Sequence, residues 1–196
     1  MILSGRYTMN LPNKLTVLRV ILVPVFIFFL LTDIVPFSML WALVVFSAAS
    51  ITDALDGHIA RSRNLVTNFG KFLDPLADKV LVISALVCFI EMGLVGAVPV
   101  IIITAREFMV SGLRLVTANE GIVVAAGIWG KLKTAFTMVT IILIMFFGIL
   151  FEKDISSLPV WAIITEQALI WISVLLTVIS GGIYLKGYGK YIRPDE

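Results

Sequence analysis

Apolar positions along this chain fall into six long runs, and the short polar stretches between them set its topology. The first run spans Leu15 to Leu31, is interrupted by Thr16, Arg19 and Pro24, and ends in a turn at Asp33. The second begins at Pro36, carries the small residues Ser47, Ala48, Ala49 and Ser50, and flows into Asp53 and Asp56. Small residues of this kind let helices approach closely. The third run begins near Phe72 and fades at Glu91 to Gly93, and the fourth starts at Val95 and holds Arg106 and Arg114. A loop-like region with Gly121, Gly127 and Gly130 precedes the fifth, Leu132 to Leu150; the sixth lies between Val160 and Leu185. Apolar runs of about 20 residues are expected to be helices that cross the hydrocarbon core of a bilayer. The predicted fold is therefore all-α: a polytopic membrane helix bundle with six transmembrane helices and both termini on one side. One domain, residues 1–196, is expected, with 1–14 as a polar or amphipathic N-terminal segment.

Composition sharpens this picture. Of 196 residues, 60% are hydrophobic and 14% charged, against about 45–50% and 25% in soluble domains. No small-residue cleavage site follows a short apolar core, so the first span is expected to stay in the mature protein. The one cysteine, Cys88, lies in an apolar run and reads as a buried, inert thiol. Lys and Arg gather at one set of helix ends: Arg6, Lys14, Arg19, Arg61, Arg63, Lys71, Lys79, Arg106, Arg114, Lys131, Lys133, Lys186, Lys190 and Arg193, with Lys153 alone at the other. By the positive-inside rule the crowded ends, and both termini, face the cytoplasm. Trp41, Trp161, Tyr184, Tyr188 and Tyr191 read as interfacial anchors and not as ligand contacts.

The residues that hydropathy does not explain lie between Asp53 and Asp78, where the chain reads D-x2-D-G-x2-A-R-x8-G-x3-D-x3-D. On a helix Asp53, Asp56 and Gly57 share a face, and Asp74 and Asp78 stack one turn apart on the next helix. Helix rise puts Asp53 about 26 Å and Asp78 about 22 Å from the outer boundary, just beneath the cytoplasmic surface, and Arg106 about 17 Å in from Val95. Charge at such depth is costly unless it lines a polar cavity. Four carboxylates without a Cys/His cluster form an all-oxygen set suited to Mg²⁺ or Mn²⁺, and their number favours two ions. The plainer reading makes them caps and loop charges neutralised by Arg61, Arg63 and Lys71, but it leaves the deep Arg106 without a purpose. His58 falls on a different helical face and reads as a surface residue. Glu107 is either an ion-pair partner of Arg106 or part of the site. Glu166 has no assignment.

That pattern, eight fixed positions over 26 residues, is similar without departure to the signature of the CDP-alcohol phosphotransferase family. The segments Asn10 to Arg19, Arg106-Glu107-Phe108, Gly112-Leu113-Arg114 and Gly130 to Thr134 resemble its phosphatidylglycerophosphate synthase branch, and the likeness weakens after Leu150. The resemblance implies a metal site of Asp53, Asp56, Asp74 and Asp78, with Asp78 also the catalytic base. It implies that Thr16, Arg19, Gly57, Arg61, Thr67 and Gly70 hold CDP-diacylglycerol, that glycerol 3-phosphate is the acceptor, and that the enzyme is a homodimer in a bacterial-type cytoplasmic membrane. A dianionic acceptor needs cations away from the metals, and Arg106, Arg114, Lys131 and Lys133 are the available set. Two alternatives stay open: a relative with another acceptor (phosphatidylglycerol, serine or an inositol compound), or a small cation transporter. The transporter needs a cavity open to both sides, yet 135–150 and 169–176 carry no charge.

Overall fold

A computed structural model describes residues 11–62, 68–119, 127–151 and 158–188, with side chains described there except at 11–12, 53–76, 78 and 118–119. Six helices run through the described residues: α1 (Leu11–Leu31), α2 (Ser38–Ser62), α3 (Asn68–Glu91), α4 (Ala97–Asn119), α5 (Ile128–Leu150) and α6 (Val160–Tyr188). The all-α expectation holds for these stretches. Even the shortest, α1, has 21 residues, about 31 Å of helix against a hydrocarbon core of about 30 Å. Length alone does not make a span. Three of the described helices, α1 from Asn13, α5 and α6, are also apolar enough to cross a membrane, and α2 has a shorter apolar stretch, Ser38–Thr52, among its described residues.

Three helix starts, those of α1, α3 and α5, come earlier than hydropathy places them, while α2 and α4 start two residues later. α3 begins at Asn68 instead of Phe72, and α5 begins at Ile128, so Gly130 sits in its first turn and not in a loop. Gly127 is the N-cap, and its carbonyl accepts from the N–H groups of Gly130 (3.0 Å) and Lys131 (3.2 Å). Hydrophobicity marks where a helix is embedded, while backbone hydrogen bonding starts a turn earlier among polar residues. Gly121 lies outside the described residues. At the other end of α3 the Leu94 N–H donates to Phe89 O and the Gly93 N–H to Ile90 O, both at 2.9 Å, with Gly93 at φ 72°. This paired closure needs a left-handed residue, which glycine supplies without a Cβ clash.

The packing divides into two compact units, Met1–Ser84 and Ala85–Glu196. In the first, α1 packs on α2. The buried stripe of α1 starts polar, with Asn13, Thr16 and Arg19, and turns apolar at Val23, Phe26 and Leu30. Met39, Ala42, Phe46 and Ala49 form the stripe of α2. Phe26 meets Phe46 (5.6 Å between centroids) and Phe29 meets Trp41 (6.3 Å), so the two helices run antiparallel.

In the second unit α6 packs against both α4 and α5. Ile103, Val110 and Leu113 of α4, Ile141, Ile144 and Met145 of α5, and Ile170 and Val174 of α6 are buried. Gln167 ties α6 to the α3–α4 turn by donating to Leu94 O at 3.0 Å. Large apolar side chains such as Ile101 and Leu115 of α4 and Ile164 and Leu175 of α6 stay exposed, which on α6 suits a helix apolar enough to cross a membrane. Lipid tails reward helix association little through apolar burial, so close packing and interhelical polar contacts must hold such a bundle. Accordingly α5 and α6 bury Thr137, Thr140, Ser173, Thr177 and Ser180, with Thr140 and Ser173 hydroxyls 3.4 Å apart. Cys88 is buried and free, as expected.

Candidate functional site

The fully described cluster of charge lies in the second unit and is assembled from three helices. α4 brings Arg106, Glu107 and Arg114, α5 brings Lys133, and α6 brings Tyr184. Arg106 Nη1 donates to Glu107 Oε1 at 3.0 Å, and Lys133 Nζ pairs with the same oxygen. The side chains of Arg106 and Lys133 are only 10% and 4% exposed. Glu107, left between two roles by the sequence, holds both cations at once. Three cations and one carboxylate leave this cluster two positive charges in excess.

Arg106 and Arg114 are eight residues apart, about 12 Å along α4, yet both guanidinium carbons reach the ring of Tyr184, at 5.5 and 5.3 Å from its centroid. Arg114 Nη2 donates to the Tyr184 hydroxyl at 2.8 Å, and the Gly127 N–H donates to the same oxygen at 2.9 Å. Small residues make the room. A Cβ on Gly181 would lie 3.1 Å from Arg106 Cγ, and one on Gly130 would lie 3.3 Å from the Tyr184 hydroxyl.

Among the described residues the guanidinium groups are not saturated: Arg106 Nε and Nη2 and Arg114 Nε are buried there and meet no hydrogen-bond partner. A buried donor left unmet costs about 1–3 kcal/mol, more when charged. Unmet N–H groups with excess positive charge suit an oxygen-rich anion chemically, since guanidinium groups match the planar pairs of oxygens on phosphate or carboxylate.

Tyr184 corrects an expectation. An interfacial anchor presents its ring outward, but Tyr184 is 4% exposed and stacks on Tyr188 at 6.2 Å. The signal available in the sequence was the small and polar series Ser173, Thr177, Ser180, Gly181, Tyr184 at three- and four-residue steps along an otherwise apolar helix. Trp41 and Trp161 are exposed, in keeping with anchoring, and Tyr191 lies outside the described residues. Lys131, two residues from Lys133, is on a different side of α5 and exposed, so the structure does not bring it to the cluster.

In the first unit Thr16 and Arg19 are buried on one face of α1. Asp53, Asp56, Gly57 and Arg61 lie on α2, and Gly70, Asp74 and Asp78 on α3. Their side chains, with that of His58, are outside the description, as is Thr67 altogether. Helical register can still be followed. Positions 53 and 56 continue the three- and four-residue steps of Met39, Ala42, Phe46 and Ala49, and positions 74 and 78 lead into buried Leu81. The antiparallel pairing at Phe26–Phe46 runs toward Arg19 and Thr16 on one helix and toward Asp53 and Asp56 on the other. Among the described residues no group of three or more His, Cys, Asp or Glu could hold a metal.

Residues 9–179 match the family model for CDP-alcohol phosphatidyltransferase. The chain is 41% identical to the CDP-diacylglycerol–glycerol-3-phosphate 3-phosphatidyltransferase of Bacillus subtilis (strain 168), over 95% of this chain and 99% of that one. Proteins of the same name from Rickettsia bellii (strain RML369-C) and Haemophilus influenzae (strain ATCC 51907 / DSM 11121 / KW20 / Rd) are 39% and 37% identical. These cover 93% and 90% of this chain and 97% and 92% of their own.

Proposed function

The chain belongs to the CDP-alcohol phosphatidyltransferase family, and on that premise we propose that it moves the phosphatidyl group of CDP-diacylglycerol to glycerol 3-phosphate, giving phosphatidylglycerophosphate and CMP. An acceptor hydroxyl oxygen bonds to the phosphorus that carries diacylglycerol, the anhydride bond to CMP breaks, and the hydroxyl proton passes to Asp78. The observation that favours a phosphate-bearing acceptor is the three-helix cluster: two excess positive charges and unmet guanidinium N–H groups on Arg106 and Arg114. Glycerol 3-phosphate is close to a dianion at neutral pH, so charge and hydrogen-bond demand both match. Serine and inositol bring no phosphate, and phosphatidylglycerol brings a single negative charge.

Donor binding belongs, in this reading, to Thr16, Arg19, Gly57, Arg61, Thr67 and Gly70. The oxygen-only donor set of Asp53, Asp56, Asp74 and Asp78 fits hard divalent cations. Mg²⁺ or Mn²⁺, two ions by the carboxylate count, would neutralise charge on the phosphoanhydride and the departing CMP. The six helices would cross the membrane with both termini and the active site on the cytoplasmic side, a reading supported by the distribution of Lys and Arg. The homodimer is carried over from the family resemblance. The test is CMP release from labelled CDP-diacylglycerol by purified protein in detergent, with glycerol 3-phosphate, phosphatidylglycerol, serine and inositol offered separately. Turnover with glycerol 3-phosphate alone is the expected result. Preference for an acceptor lacking a phosphate would overturn the acceptor assignment and leave the family standing, and no CMP release with any acceptor would remove the transferase reading.

A further inference from the structure

We propose that Tyr184 is the positioning residue of the acceptor site, holding Arg114 and the start of α5 in the geometry that receives the phosphate; this rests on the acceptor reading above. Two long, flexible cations leave α4 about 12 Å apart along the helix and converge on one ring. Like charges do not gather unaided in a buried place. The negative π face of the ring attracts both guanidinium groups, and the phenol oxygen fixes one of them by accepting from Arg114 Nη2.

That same oxygen accepts from the backbone N–H of Gly127, the N-cap of α5. One atom of α6 therefore registers a side chain of α4 against the first turn of α5. Lys133 projects from the second turn of α5, so its place beside Glu107 is referred to the same point. The surroundings are shaped for this contact. Gly130 keeps a Cβ out of the phenol's space and Gly181 keeps one away from the Arg106 stem, while Tyr188 stacks on the ring and Val110 and Leu113 pack around it. Both donors to the phenol oxygen come from other elements, Arg114 of α4 and the N-cap of α5, so the contact spans three helices. Tyr184 touches neither reacting atoms nor, in this proposal, the acceptor itself; it acts through Arg114.

The test is a double-mutant cycle on the full-length protein, with KM for glycerol 3-phosphate, KM for CDP-diacylglycerol, kcat and thermal stability in detergent read for Tyr184→Phe, Arg114→Ala and both together. Phenylalanine keeps the ring and deletes the oxygen. Arg114 stays in place but loses its anchor, so the acceptor KM should rise less than on loss of the arginine itself, about 3- to 30-fold, with the donor KM unmoved. In the Arg114→Ala background the same change should add less than about twofold, because the residue it acts through is gone. Gly130→Ala, which presses a Cβ toward the phenol oxygen, should raise the acceptor KM in the same direction. Equal effects of Tyr184→Phe in both backgrounds, an unchanged acceptor KM, or parallel loss on both substrates with lowered stability each overturns the positioning role. A normal acceptor KM in Arg114→Ala alone would instead strike down the acceptor reading on which it rests.

Discussion

The two charged regions of this molecule are built in opposite ways. The carboxylates lie on two consecutive helices within one stretch of 26 residues, on steps that continue helix faces already buried. The cationic cluster is gathered from α4, α5 and α6, and its contacts join residues 26, 57 and 70 positions apart. A group that holds ions needs fixed oxygen donors at short range, which helical repetition supplies cheaply. Matching a soluble anion of a given size instead needs cations converging from several directions, and tertiary packing must provide them. Ion chemistry is thus expected to fail outright when disturbed, and acceptor recognition by degrees.

The largest effect should come from the carboxylate side. Chelation of tightly held metal is expected to abolish CMP release, and Mg²⁺ or Mn²⁺ to restore it; full activity in chelator would end the metal proposal. Asp78→Asn, which keeps the size and one oxygen but removes the proton acceptor, should lower kcat by about 10²- to 10⁴-fold, and further if metal is lost with it. Near-normal turnover would move the base to another residue.

Next in size come the arginines. Charge-assisted contacts contribute about 1.5–3 kcal/mol, so alanine at Arg106 or Arg114 should raise the KM for glycerol 3-phosphate about 10- to 100-fold, leaving the CDP-diacylglycerol KM nearly as it was. A donor KM that rises equally would erase the distinction between the two regions.

The same contrast explains which parts of the molecule are legible in the sequence. Asp53 to Asp78 declare themselves because charge at helical spacing is conspicuous in an apolar sequence, and Arg106 declares itself by depth. The six apolar runs forecast six helices, yet the start of α5 was missed because Ile128 to Lys131 form a hydrogen-bonded turn that hydropathy does not register. Tyr184 was misread for a different reason. Its neighbours Leu185 to Tyr188 look like the end of a span, and only packing shows that Arg114 and Gly127, 70 and 57 residues earlier, reach its hydroxyl. Likewise Glu107 could not be assigned while its partner Lys133 was 26 residues away on an unplaced helix.

The smallest expected effect separates two lysines that the sequence sets side by side. Lys131 and Lys133 are two steps apart on α5, about 200° around the helix, and the structure exposes the first while burying the second against Glu107. An exposed surface charge away from caps and partners contributes within about 0.5 kcal/mol, so Lys131→Met should change stability little and the acceptor KM by less than about twofold. Lys133→Met removes one of the two cations on Glu107 and leaves the carboxylate paired with Arg106, so it should cost less than the roughly 3–5 kcal/mol of a buried charge left with no partner. It should also draw Arg106 toward Glu107 and away from the anion, raising the acceptor KM. Melting temperature in detergent and acceptor KM, measured for both variants, check this directly: a KM rise as large for Lys131→Met as for Lys133→Met would mean that the acceptor is held across both sides of α5, and that the buried cluster is not by itself the anion receptor.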